Sequence, residues 1–130
     1  HYPANIKIIK VPCSCRVNPL FILRAFQRGA DGVILCGCHP GDCHYSTGNY
    51  FARRRMTLLF SMLDYLGIDK GRTRVEWCSA AEGVRFAGIM NDFVSQIKAL
   101  GGVRAPVAAE SNNSRFPFFI FSHSSFFQDK

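Results

Sequence analysis

Apolar and polar positions alternate along the chain with two different periods. Residues Ile6–Val11 read Ile-Lys-Ile-Ile-Lys-Val, a β-branched run that favours a strand because such side chains pack well on a pleated surface. Pro12 ends it. Asn18 before Pro19 predicts a helix start, since the Asn side chain accepts from free backbone N–H groups and Pro loses nothing in the first turn. Leu20, Leu23 and Phe26 follow at near-helical spacing, and Gly29 suits the stop. Residues 32–36, Gly-Val-Ile-Leu-Cys, form the continuous apolar run of a strand covered on both faces. After a loop over residues 37–49, residues 50–66 carry Phe51, Leu58, Leu59, Met62, Leu63 and Leu66, an amphipathic helix closed by Gly67. Residues 73–78 predict a third strand. Ser79 and Glu82 have capping-box spacing, and Phe86, Met90, Phe93, Ile97 and Leu100 recur in steps of four and three, predicting a last helix.

Strands alternating with helices imply an α/β domain: a small three-layer unit with a parallel sheet of flavodoxin or Rossmann type. Three strands are few for such a sheet, so a further first strand is expected from sequence ahead of His1. Beyond Gly101-Gly102 the composition shifts toward Ala, Ser, Asn and then Phe. Residues 1–101 are therefore taken as the domain. Residues 102–130 are taken as a tail that is weakly ordered or unrelated to it, with an edge strand through residues 118–121 as the alternative.

Composition narrows the function. The 130 residues are 48% apolar and 19% charged, enough to bury a core without cross-links, so the six cysteines need another explanation. The formal charge is +7, of which residues 102–130 hold only +1. No apolar run reaches the roughly 18 residues of a membrane span, and a soluble, cytoplasmic protein is expected. Nucleic acid is disfavoured as a partner because neither a recognition motif nor a stacking platform of spaced aromatics is present.

Five of the six cysteines fall at predicted strand C-termini or just beyond them: Cys13, Cys15, Cys36, Cys38 and Cys78; Cys43 shares the second loop. Sites in open parallel sheets form outside the carboxyl edge, so these loops are expected to face one crevice. Cys36 and Cys78, in or beside apolar strands, read as packing thiols. A Cys-x5-Arg phosphatase loop, a redox Cys-x-x-Cys and a glycine-rich phosphate loop are all missing. Metal binding is the best account: Cys13-x-Cys15 and Cys38-x4-Cys43 offer four thiolates on neighbouring loops. Zinc, with His39 or His44 available, is one reading. An iron–sulfur centre is the other: structural zinc usually holds together small domains that lack a core, Arg16, Arg53, Arg54 and Arg55 would favour the negative charge of a cluster, and the missing Cys-x-His spacing of a Rieske site makes all-Cys ligation the preferred form.

The stretch 37–50, Gly-Cys-His-Pro-Gly-Asp-Cys-His-Tyr-Ser-Thr-Gly-Asn-Tyr, followed by Ala52-Arg53-Arg54-Arg55, resembles the delta, iron–sulfur subunit of methyl-viologen-reducing (deazaflavin-non-reducing) hydrogenase. So do Val11-Pro12-Cys13-Ser14-Cys15-Arg16-Val17-Asn18-Pro19, Gly29-Ala30-Asp31-Gly32-Val33 and Trp77-Cys78-Ser79-Ala80-Ala81-Glu82-Gly83. The resemblance implies a 2Fe-2S cluster with Cys13, Cys38 and Cys43 as ligands and Cys15 as the nearest fourth. It implies partners too: a hydrogenase or formate dehydrogenase on one side, and the flavin-containing subunit of heterodisulfide reductase on the other. The subunit would relay electrons rather than catalyse hydrogen chemistry. A cysteine-bearing turn ahead of His1 is also implied.

Overall fold

In a computed structural model, the structure describes residues 6–41, 47–79, 81–101 and the backbone of 118–123. The elements are β1 (Ile6–Val11), α1 (Pro19–Gln27), β2 (Gly32–Gly37), α2 (Gly48–Tyr65), β3 (Thr73–Trp77), α3 (Gly83–Leu100) and β4 (Phe118–His123), with short 3-10 turns at Ser14–Arg16 and Lys70–Arg72. The expected caps account for the boundaries in part. Asn18 Oδ1 accepts from the Leu20 N–H at 2.9 Å with Pro19 in the first turn, and Gly29 and Gly67 take positive φ just past α1 and α2.

The α/β expectation holds: four parallel strands lie in the order β1-β4-β2-β3. Alternation along β2 builds both cores at once. Val33 and Leu35 face one side with Ile22, Ala25 and Phe26 of α1 and Ala52, Met56, Leu59 and Leu63 of α2. Ile34 and Cys36 face the other, against Phe86, Met90, Phe93, Val94 and Ile97 of α3. Every residue of β2 is buried, as its unbroken apolar run required. Gly32 permits the close approach of α3, because a Cβ there would meet Ile97 at 2.8 Å and Phe93 at 3.0 Å. Arg72 pins the far end of that helix by donating to the Asp31 and Leu100 carbonyls at 3.1 and 3.2 Å.

Two expectations change. The buried stripe of α2 is Ala52, Met56, Leu59 and Leu63, while Phe51, Leu58, Met62 and Leu66 are exposed. The helix carries more apolar residues than one stripe holds, and only the stripe in phase with the sheet is covered. Residues 118–121 were allowed an edge strand at most; Phe118–His123 instead lies inside the sheet, pairing Ile6 with Phe118 on one side and Gly32 with Phe118 on the other. The reason is topological. The connection through α1 leaves a gap one strand wide between β1 and β2, and the Phe-Phe-Ile-Phe run has the aromatic and β-branched character that suits a strand. Periodicity identifies a strand but not its neighbours.

Candidate metal centre

The carboxyl ends of the strands bring the cysteine loops to one edge. Cys13 follows β1 and is buried; its carbonyl accepts from the Arg16 N–H at 3.0 Å, which starts the turn that carries Cys15. That turn rests on the end of β2. Gly37 is the contact point: a Cβ there would meet Ser14 Oγ at 3.0 Å and the Trp77 ring at 2.8 Å, so only glycine lets the turn that holds Ser14 lie against the residue before Cys38. From the other side, Arg55 of α2 donates its guanidinium N–H to the Cys15 carbonyl. Arg16, Arg53 and Arg54 are exposed.

Cys38 is half-buried and its strand is extended beyond Gly37 by the Cys78 N–H, which donates to the Gly37 carbonyl at 2.8 Å. Behind it, Asn49 Nδ2 donates to the carbonyls of both Cys38 and His39, at 3.3 and 2.9 Å. In front, His39 Nε2 lies 2.7 Å from Glu82 Oε2. The same carboxylate accepts from the Ser79 N–H at 2.8 Å and faces Arg85 at 3.4 Å. The capping box is thus half made: Glu82 reaches back to Ser79, but α3 starts at Gly83, because Ser79 to Glu82 closes a tight turn with the Glu82 N–H on the Ser79 carbonyl. The loop after β2 and the loop after β3 are joined through this one carboxylate.

The Ser79 amide, then the His39 ring and Arg85, hold the Glu82 carboxyl at about 2, below its ordinary 4.5. A depressed carboxyl contributes stability that is present above the unfolded value and lost as pH falls through the folded one. The thermal midpoint of the native protein is therefore expected to exceed that of Glu82→Gln at neutral pH, with the gap closing as pH is lowered from 4.5 toward 2. A gap independent of pH in a thermal melt series would show that the carboxylate charge is not what ties the loops.

Cys36 and Cys78 behave as packing residues. Both belong to the α3-side core. Burial, then the neighbouring Cys78 thiol and Glu76, pushes the Cys36 thiol up to about 12, and burial followed by Glu82 raises Cys78, so both stay neutral. Of the four cysteines read as ligands, Cys13, Cys15 and Cys38 share the carboxyl edge, and Cys43 lies outside the described residues, as does His44. Among the described residues no three His, Cys, Asp or Glu side chains form a metal-holding group. The donor set nonetheless fits a thiophilic metal centre: thiols on two abutting loops, beside cationic arginines. Asn49 was missed by sequence reasoning, although it sits in helical phase with Ala52, Met56, Leu59 and Leu63; a polar residue on a buried stripe was the available signal.

Known proteins sharpen this arrangement. Residues 1–101 match the family described as methyl-viologen-reducing hydrogenase, delta subunit. The chain is 57% identical over 100 residues to the vhc iron-sulfur subunit of the F420-non-reducing hydrogenase of Methanococcus voltae, covering 77% of this chain and 69% of that protein. It is 53% identical over 100 residues to the iron-sulfur subunit of the F420-non-reducing hydrogenase of Archaeoglobus profundus, covering 77% and 73%. A third relative, from the ferredoxin:CoB-CoM heterodisulfide reductase of Methanosarcina mazei, is 42% identical over 110 residues, which cover 85% of this chain and only 14% of that protein. Similar sequence thus occurs in separate subunits and within a much larger reductase subunit. The chain belongs to the methyl-viologen-reducing hydrogenase delta subunit family.

Proposed function

We propose that this protein is an iron–sulfur subunit that relays electrons between a hydrogenase or formate dehydrogenase and the flavin-containing subunit of heterodisulfide reductase, in the cytoplasm. The observation that carries the reading is the seating of Ser14, between Cys13 and Cys15, on Gly37, the residue before Cys38. The names of the relatives support it, since two are iron-sulfur subunits of hydrogenases and one belongs to a heterodisulfide reductase. Cys13, Cys38 and Cys43 are the ligands in this reading, with Cys15 the nearest fourth, and all four lie within residues 1–101. A 2Fe-2S cluster held there supplies a one-electron carrier.

The chain's own residues set the conditions for that carrier. Arg55 orients the Cys15 peptide and places a positive charge at the Cys13–Cys15 turn, which would favour the negative charge of a thiolate ligand set. The neutral Cys36 and Cys78 thiols close the core beneath the edge without competing for metal. Among the described residues no helix is long and apolar enough to cross a membrane. The exposed arginines at the start of α2 offer a basic docking surface for an acidic partner face.

Anaerobically reconstituted protein is expected to hold iron and acid-labile sulfide in equal amounts, with a visible absorption band that bleaches on reduction and an EPR signal in the reduced state. Stoichiometric zinc without iron or labile sulfide in anaerobically purified protein would replace this reading with a zinc-binding module.

A further inference from the structure

Asn49 is buried, with 1% of its surface exposed, and stands in the first turn of α2 facing back toward the loop that begins at Cys38. Both N–H groups of an amide nitrogen are accounted for by two consecutive carbonyls, those of Cys38 and His39. Consecutive carbonyls of an extended strand point to opposite sides, so one donor serving both bends the chain just where β2 ends and the first loop cysteine stands. The bond also ties residue 38 to residue 49 and so closes the neck of the loop that carries Cys43. The amide oxygen takes no donor among the described residues, which leaves a buried acceptor at that neck. A buried amide on an otherwise apolar stripe costs desolvation that packing alone does not explain, because alanine would fill this position as Ala52 does. The opposite side of the bend is held by the His39 contact to Glu82.

We infer that Asn49 is a positioning residue for the metal centre: its amide fixes the Cys38 bend and the neck of the cysteine loop, and so sets the geometry in which the thiolates meet iron. This rests on the iron–sulfur reading of the same edge. Groups that orient metal ligands without touching the metal typically change metal affinity by about 10- to 100-fold when removed. Asn49→Ala deletes both donors. Asn49→Asp keeps the shape but sets carboxylate oxygens against two carbonyl oxygens, and is the harsher change.

The test compares the native protein with both variants and with two controls, all reconstituted anaerobically. Thr73→Val alters another buried polar group, whose hydroxyl has no partner among the described residues, and Phe93→Leu lowers stability from the α3 core. Iron retention is read against a competing chelator, the EPR g-values report the ligand field, and the alkylation rate of Cys38 in apoprotein, by mass spectrometry, reports the bend without any metal. Expected are a ~10- to 100-fold weaker hold on iron in Asn49→Ala, shifted or broadened g-values, and faster Cys38 alkylation, with both controls native in all three. Unchanged retention and g-values in Asn49→Ala, losses no greater than in Phe93→Leu, or apoproteins of both Asn49 variants that fail to fold would overturn the inference. Native protein that takes up no iron and sulfide while Cys38 alkylation still rises in Asn49→Ala would instead defeat the iron–sulfur reading and leave the bend standing.

Discussion

Cys38→Ser is expected to abolish the iron–sulfur signal while leaving the fold intact, and Cys43→Ser to do the same. A serine hydroxyl is a hard donor that stays protonated at neutral pH, whereas the proposed centre would hold iron through soft thiolates. Cys38 stands at the end of β2 and is half-buried, outside both core clusters, so losing its sulfur removes a ligand rather than a packing group. The contrast is Cys78→Ser. That change places a shorter hydroxyl in the α3-side core, where the thiol donates to the Ser79 and Glu82 carbonyls at 3.7 Å, so a modest loss of stability is expected, but it leaves iron in place. Visible spectra, iron content and thermal melts of the variants separate the two effects. Full iron in both loop variants would show that the ligands lie elsewhere.

Truncation after residue 101 is expected to abolish cooperative unfolding. Among the described residues β1 pairs only with β4, so removing Phe118–His123 leaves Ile6–Val11 without a ladder and opens the edge of β2. Ladder bonds contribute ~1 kcal/mol each, and losing the ladders on both sides of a six-residue strand approaches the ~5–15 kcal/mol that holds a whole domain together. Val11 and Ile9 would also lose their fixed place against the α1 and α2 side of the core. The turn at Cys13 hangs from β1, so iron uptake should fall with the fold. The opposite result is equally informative. A truncated protein that melts cooperatively at the native temperature and takes up iron would make residues 1–101, the span matched by the family, sufficient for the domain.

Local structure was legible in the sequence and long-range structure was not. The Asn18-Pro19 start, the glycines after α1 and α2 and the apolar run of β2 each follow from forces acting within a few residues. The predicted helix over 50–66 and the observed Gly48–Tyr65 differ by no more than two residues at either end. The convergence of the cysteine loops was also readable, because parallel topology puts all strand C-termini at one edge. What escaped depends on partners distant in sequence. Which apolar residues of α2 face the sheet is decided by the sheet, so Phe51 and Leu58 were counted as core although both are exposed. Glu82 was read as a cap for its own helix, yet its carboxylate also meets His39, 43 positions away. The interior place of β4 is the extreme case, since nothing in Phe-Phe-Ile-Phe names the strands beside it.

That interior place sets a timetable. A chain made from its N-terminus at about 5–20 residues per second exposes Ile6–Val11 well before the β4 strand that pairs with it, so that ladder forms only after Phe118–His123 has emerged. The α3-side and α2-side layers around β2 and β3 draw on residues that emerge earlier and are closer together in the chain. The sheet is then completed by a strand entering between two others, the kind of non-local pairing that slows folding. The turn at Cys13, which follows β1, is consequently held in place only once β4 has entered the sheet.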